Sequence, residues 1–133
     1  MTTANDIFSA ALSLMGADGE RARYESRALA GINLLAADLV CLDRALKGEV
    51  AAAAAAVPSL GSLQDVTDLA DILTRSLIPV GLAAFLLNEE EESRAAFFQR
   101  IYRSEKEILL RQFSTGRRHS VRNVYGGCHG AGV

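Results

Sequence analysis

Residues 77–87 read LIPVGLAAFLL, an uncharged run broken by Pro79 and Gly81 and followed at once by Glu89, Glu90, Glu91 and Glu92. The run is about half the ~20 residues needed to cross a bilayer, so it has to be buried against the rest of the chain. A proline inside a helix removes a hydrogen bond and clashes with the preceding turn, costing ~3 kcal/mol unless the helix bends or restarts. A kink is therefore expected near residues 76–79, followed by a tightly packed turn through Gly81, Ala83 and Ala84. The glutamates suggest the next boundary. They are unfavourable at a helix C-terminus and stabilising in a first turn, by ~0.3–1 kcal/mol for each well-placed charge. Asn88 is the expected N-cap and Glu91 can complete a capping box. The last helix then covers residues 89–113, about 37 Å at 1.5 Å per residue. Its main apolar stripe is Phe98, Tyr102, Leu109 and Phe113, with Phe97, Ile101 and Ile108 beside it. Glu90–Arg94 and Glu107–Arg111 have the favourable i, i+4 order.

The chain before this run is also helical in pattern. Residues 4–15 predict a short helix capped by Thr3 or Asn5 and stopped by Gly16. Ile7, Ala11 and Leu14 share one face and Phe8, Leu12 and Met15 the next, so this helix should lie between other elements or against a second subunit. Residues 21–46 predict one long helix with Ala28, Ile32, Leu35, Leu39, Leu42 and Leu46 along one side, ended by Lys47 and Gly48. Gly31 is expected to mark a close crossing by another backbone. Residues 48–64, with alanines at 51–56 and then Pro58 and Gly61, are expected to be a partly helical loop. A further helix should resume near Asp65, with Val66, Leu69, Leu73 and Leu77 on one face.

The expected fold is all-α: a small four- to five-helix bundle with a long C-terminal helix. Residues 1–113 form one helical domain and residues 114–133, STGRRHSVRNVYGGCHGAGV, a flexible tail without periodicity. A net charge of −2 argues against a general nucleic-acid coat or an anionic-membrane binder. Cys41 and Cys128 do not make a disulfide framework and are expected to be reduced thiols in a cytoplasmic setting.

Catalytic and cofactor chemistry find little support. A zinc site needs four ligands at workable spacing, and Cys128 and His129 have only His119 and Cys41 to complete one. A glycine-rich tail cannot hold a Cys–His pair in reactive geometry. Four consecutive glutamates on a helix point about 100° apart and cannot converge on one ion. No metal, no cofactor and no enzymatic activity are expected.

The N-terminal helix ending near Gly16, the stretch YESRALAGINLLAADL, and the segment LIPVGLAAFLLNEEEESRAAFFQRIY together resemble the head–tail connector (adaptor, or head-completion) proteins of tailed bacteriophages and prophages. The likeness covers roughly residues 5–113 and includes an aromatic Phe-x-x-x-Tyr helix, here Phe98 to Tyr102. It implies a non-catalytic subunit of the virion neck, assembled in the host cytoplasm into a ring, often of twelve copies, below the portal. Such a ring extends the DNA channel, passes DNA without sequence-specific binding, and offers a surface to the next neck or tail-completion protein. The resemblance assigns portal docking to Arg117, Arg118, Arg122 and Tyr125. Subunit contacts fall to Phe97, Phe98, Ile101 and Tyr102, and channel charge to Glu89, Glu90, Glu91 and Glu92. The rival reading is a small helical regulator or scaffold that dimerises through the 28–46 stripe.

Overall fold

The computed structural model describes residues 2–48 and 59–116, which form an all-α fold without a strand among the described residues. The helices are α1 (Ala4–Met15), α2 (Arg21–Asp38), α3 (Val40–Leu46), α4 (Ile78–Leu87) and α5 (Glu92–Gly116). A 3-10 turn, Asp18–Glu20, joins α1 to α2, and a π-helical turn, Leu73–Leu77, leads into α4.

Helix α1 forms as the sequence dictates. The Thr3 hydroxyl accepts from the Asp6 N–H and the Asp6 carboxylate accepts from the Thr3 N–H, a reciprocal capping box. The bond from the Thr3 backbone N–H, helped by the Thr3 side chain, holds the Asp6 carboxyl below its ordinary range. At the other end Gly16 takes φ 68°, and the Ala17 N–H returns to the Leu12 carbonyl at 2.9 Å, the Schellman closure. Both expected faces are buried except Leu14, which is exposed.

The centre of the molecule is α4. Ile78, Pro79, Gly81, Leu82, Ala83, Ala84, Leu86 and Leu87 are all buried, leaving the helix without a polar face. It packs against α1, α2 and α5. Two glycines set how closely they approach. A Cβ on Gly81 would lie 2.7 Å from Leu35 Cδ2 of α2 and 2.9 Å from Tyr102 Cδ1 of α5. A Cβ on Gly31 would lie 2.7 Å from both Leu82 Cδ1 and Phe85 Cδ2. The close crossing expected at Gly31 is therefore the crossing of α2 over α4, made by side chains.

Four expectations are corrected. The 21–46 helix is two segments, interrupted at Leu39, whose φ −103° and ψ 3° break the helical run. Its stripe is core all the same: Ala28, Ile32, Leu39 and Leu42 are buried within the subunit, so the stripe is not free to make a dimer. Residues 65–70 are not helical. Val66 instead makes an antiparallel bridge with Thr3, and the carbonyls of Leu63 and Asp65 accept from the N–H groups of Asn5 and Ala4. The segment trades its own helix for satisfying the open amides of α1. Asn33 also holds it, bonding both the N–H and the carbonyl of Leu60, and the buried Asp43 carboxylate accepts the Ala70 N–H at 2.7 Å. The disturbance expected near residues 76–79 takes the form of the π-helical turn, with Pro79 in the first turn of α4, but Gly81, Ala83 and Ala84 lie within α4 and make no turn. The widened turn just before Pro79 accommodates its ring, with Thr74 and Ser76 hydroxyls donating to the carbonyls of Asp71 and Ile72. Finally, Asn88 closes α4, and residues 88–91 form the connecting turn before α5 begins at Glu92.

Cys41 is disulfide-bonded, contrary to the expected reduced thiol, and its partner lies outside the described residues. So do the alanine run and residues 117–133, the greater part of the expected tail, whereas residues 114–116 belong to α5.

The crossing at Gly81 yields a test. Glycine to alanine in a helix interior normally gains about 1 kcal/mol, but overpacking a filled site loses about 1–3 kcal/mol. With two neighbours under 3.0 Å, Gly81→Ala is expected to lower stability by about 1 kcal/mol in denaturant unfolding. Gly19→Ala, where a Cβ meets open space, should stay near the parent.

Candidate functional site

The turn between α4 and α5 concentrates acid, and three arginines from two helices, α2 and α5, meet it. Glu90 accepts from Arg23 of α2 at 2.8 Å and from the Tyr24 hydroxyl at 3.2 Å. Glu91 pairs with Arg94 at 3.0 Å, and Glu89 lies 3.8 Å from Arg27. The expected Glu90–Arg94 pair is therefore replaced: Glu90 reaches back to α2 because the turn, and not a helical first turn, carries it. Glu107–Arg111 does form, at 3.4 Å.

The arginines also serve the backbone. Arg27 donates to the Leu86 carbonyl at 2.9 Å and Arg94 to the Met15 carbonyl at 2.5 Å. Both are last-turn carbonyls that no intrahelical N–H can reach. Hydrogen bonding to Glu20, helped by Glu90, raises the Arg23 guanidinium above its ordinary range. Burial, with Glu90 close by, pushes the Tyr24 phenol up. The acidic turn thus works as a clasp tying α1, α2, α4 and α5 at one end of the bundle. Of the four glutamates expected to supply channel charge, three have an arginine partner, and Glu92 has none among the described residues.

The far side of α5 has a second polar contact. The Tyr102 hydroxyl donates to Asp38 at 2.6 Å and the Lys106 ammonium to the same oxygen at 2.8 Å. Burial alone would push the Asp38 carboxyl up, but the bonds from Lys106 and Tyr102 outweigh it and hold the group below the ordinary carboxylate range. Burial and the neighbouring Asp38 push the Tyr102 phenol upward.

The four expected subunit-contact residues divide. Phe98 and Tyr102 are only 7 % and 5 % exposed and belong to the subunit's own core, which corrects their assignment to its surface. Tyr102 fills the gap at Gly81, and this fixes which face of α5 turns inward. Phe97 is 50 % exposed and Ile101 half-buried. Together with Arg100, Ser104 and Glu105 they line an open recess along α5 alone, with Ile108 exposed further on. Arg117, Arg118, Arg122 and Tyr125 lie outside the described residues. Sequence reasoning missed Arg23 and Arg27 as partners of the acidic turn, and gave Arg94 to Glu90 where it pairs with Glu91. The i, i+4 spacing of Arg23 and Arg27 on α2 was the available signal.

Among the described residues no three His, Cys, Asp or Glu side chains are grouped to hold a metal ion, and no helix is long and apolar enough to cross a membrane. No family model matches the chain, and no curated protein or solved structure matches it significantly.

The Asp38 cluster predicts an acid-sensitive contribution. Because the folded-state carboxyl is held below its unfolded value of 3.8, its stabilisation is complete above that pH and is lost as pH falls through the lower folded value. The effect is modest, since the carboxylate is half-exposed and screened by solvent. Urea midpoints between pH 7 and pH 2 should show a smaller acid loss for Asp38→Asn than for the parent. Equal losses would contradict the assignment.

Proposed function

We propose that this chain is a structural, non-catalytic subunit of the neck of a tailed bacteriophage or prophage, a head–tail connector that assembles as a ring below the portal and extends the DNA channel. Two things support this reading. The sequence resembles connector proteins across the segments forming α1, α2, α4 and α5. The observation that carries it furthest is the row of Phe97, Ile101 and Ile108, apolar surface that the subunit's own fold leaves uncovered. An apolar row beside an already filled core is what an assembling subunit needs.

In this reading Phe97 and Ile101 carry subunit or neck contacts, and Arg117, Arg118, Arg122 and Tyr125 dock on the portal. The downstream neck protein meets another surface of the ring. DNA passes without base-specific contact, past the charge that the arginine pairs leave, chiefly on Glu92. The rival, a dimeric regulator pairing through the 28–46 stripe, is disfavoured because that stripe is buried.

Co-purification with a portal protein encoded in the same gene cluster, followed by electron microscopy, is the test. The expected result is a ring on the portal with an open central channel. Replacing Arg117, Arg118, Arg122 and Tyr125 together by alanine, with Cys128 kept, should abolish portal association and leave the helical circular dichroism nearly unchanged. A chain that never associates with that portal overturns the proposal.

A further inference from the structure

Helix α5 carries two apolar rows. Ala95, Phe98, Tyr102 and Leu109 pack on the subunit. At about 100° per residue, Phe97, Ile101, Ser104 and Ile108 make a second row roughly a third of a turn away. Phe97 and Ile108 are exposed. Along one edge of this row lie Arg100, Glu107 and Arg111. Arg100 has no ion-pair partner among the described residues, and Glu107 has only the exposed Arg111 at 3.4 Å, a contact of little strength.

We infer that this row is a contact between two copies of the chain, in which the α5 helices pair antiparallel about a two-fold axis near residue 103. Under such an axis, residues equally distant from it on opposite sides meet, and each edge of the row meets the same edge of the other copy. Phe97 then lies over Ile108 of the second copy. Ile101 lies over Ser104, whose small side chain lets the helices approach. Arg100 runs beside Glu107, and every pair occurs twice.

The order of charge selects this occupant. The edge carries Arg100 toward the N-terminal half of the row and Glu107 toward the C-terminal half, with Arg111 one turn beyond Glu107. Only a reversed copy matches it. A parallel copy would turn this edge toward the opposite edge of its partner, setting Arg100 beside Glu105 but Glu107 beside the uncharged Gln112, so that only the reversed copy pairs both charges of the edge. One helix from each side is a small interface, so the pair should be weak and exchange readily. A two-fold pair also closes on itself and withholds the row from further copies until a better partner displaces it. The inference does not depend on the connector reading. Where that reading holds, the pair is the state before assembly.

Analytical ultracentrifugation of the full chain, up to about 100 μM, tests it. The parent should show a monomer–dimer equilibrium. Phe97→Asp, Arg100→Glu and Glu107→Arg should each raise the dissociation constant at least tenfold, with circular dichroism unchanged because all three positions are exposed. Arg100→Glu mixed with Glu107→Arg should associate again, because each copy presents the charge the other then needs. A chain monomeric throughout, a pair indifferent to Phe97→Asp, or a mixture that fails to recover would overturn the inference. So would pairing that emerges only after residues 117–133 are removed, since the row would then belong to that segment.

Discussion

Helix α4 has no side that can face water, and the fold is the solution to that constraint. An element apolar all round has to be enclosed. The chain encloses it with α1, α2 and α5, and Gly31 and Gly81 remove the side chains that would hold α2 and α5 away. Enclosure strands polar groups at helix ends, and long side chains recover them. Arg27 reaches a carbonyl of α4, Arg94 one of α1, Asn33 the backbone at Leu60, and Asp43 the amide of Ala70. Unmade bonds of this kind would each cost about 1–3 kcal/mol, comparable to burying a large side chain.

Features governed by near neighbours were legible in the sequence. Helix α1, its cap at Thr3 (one of the two candidates, with Asn5) and its Gly16 stop are local chemistry, and residues 28–46 revealed their buried stripe by spacing alone. Features governed by distant partners were not. Residues 65–70 have a helical apolar pattern but give their carbonyls to α1. The glutamates have the composition of a first helical turn, yet Glu90 is drawn to Arg23 and Tyr24, far back in the chain. Pro79 was correctly identified as a disturbance. A widened turn absorbs it without ending the helix, because the burial of residues on both sides favours continuity.

The candidate surface shows the same division. Phe97–Ile101–Ile108 and Phe98–Tyr102–Leu109 are equally apolar rows one residue apart, and periodicity cannot say which turns inward. The choice is made by Gly81, which leaves space for the Tyr102 ring, and by Asp38, which takes its hydroxyl. With Tyr102 inside, Phe97 is left outside. The interaction surface is thus a consequence of the core.

Amide hydrogen exchange followed residue by residue measures this dependence most directly. If α4 is the element on which everything else packs, its amides from Leu82 to Leu87 should exchange only through global unfolding and be the slowest in the molecule. The adjoining part of α5 should come close behind, and residues 59–70 should open far earlier. Exchange in α4 as fast as in residues 59–70 would contradict the account, because a helix that opens independently could not fix the inward face of α5 or the outward position of Phe97.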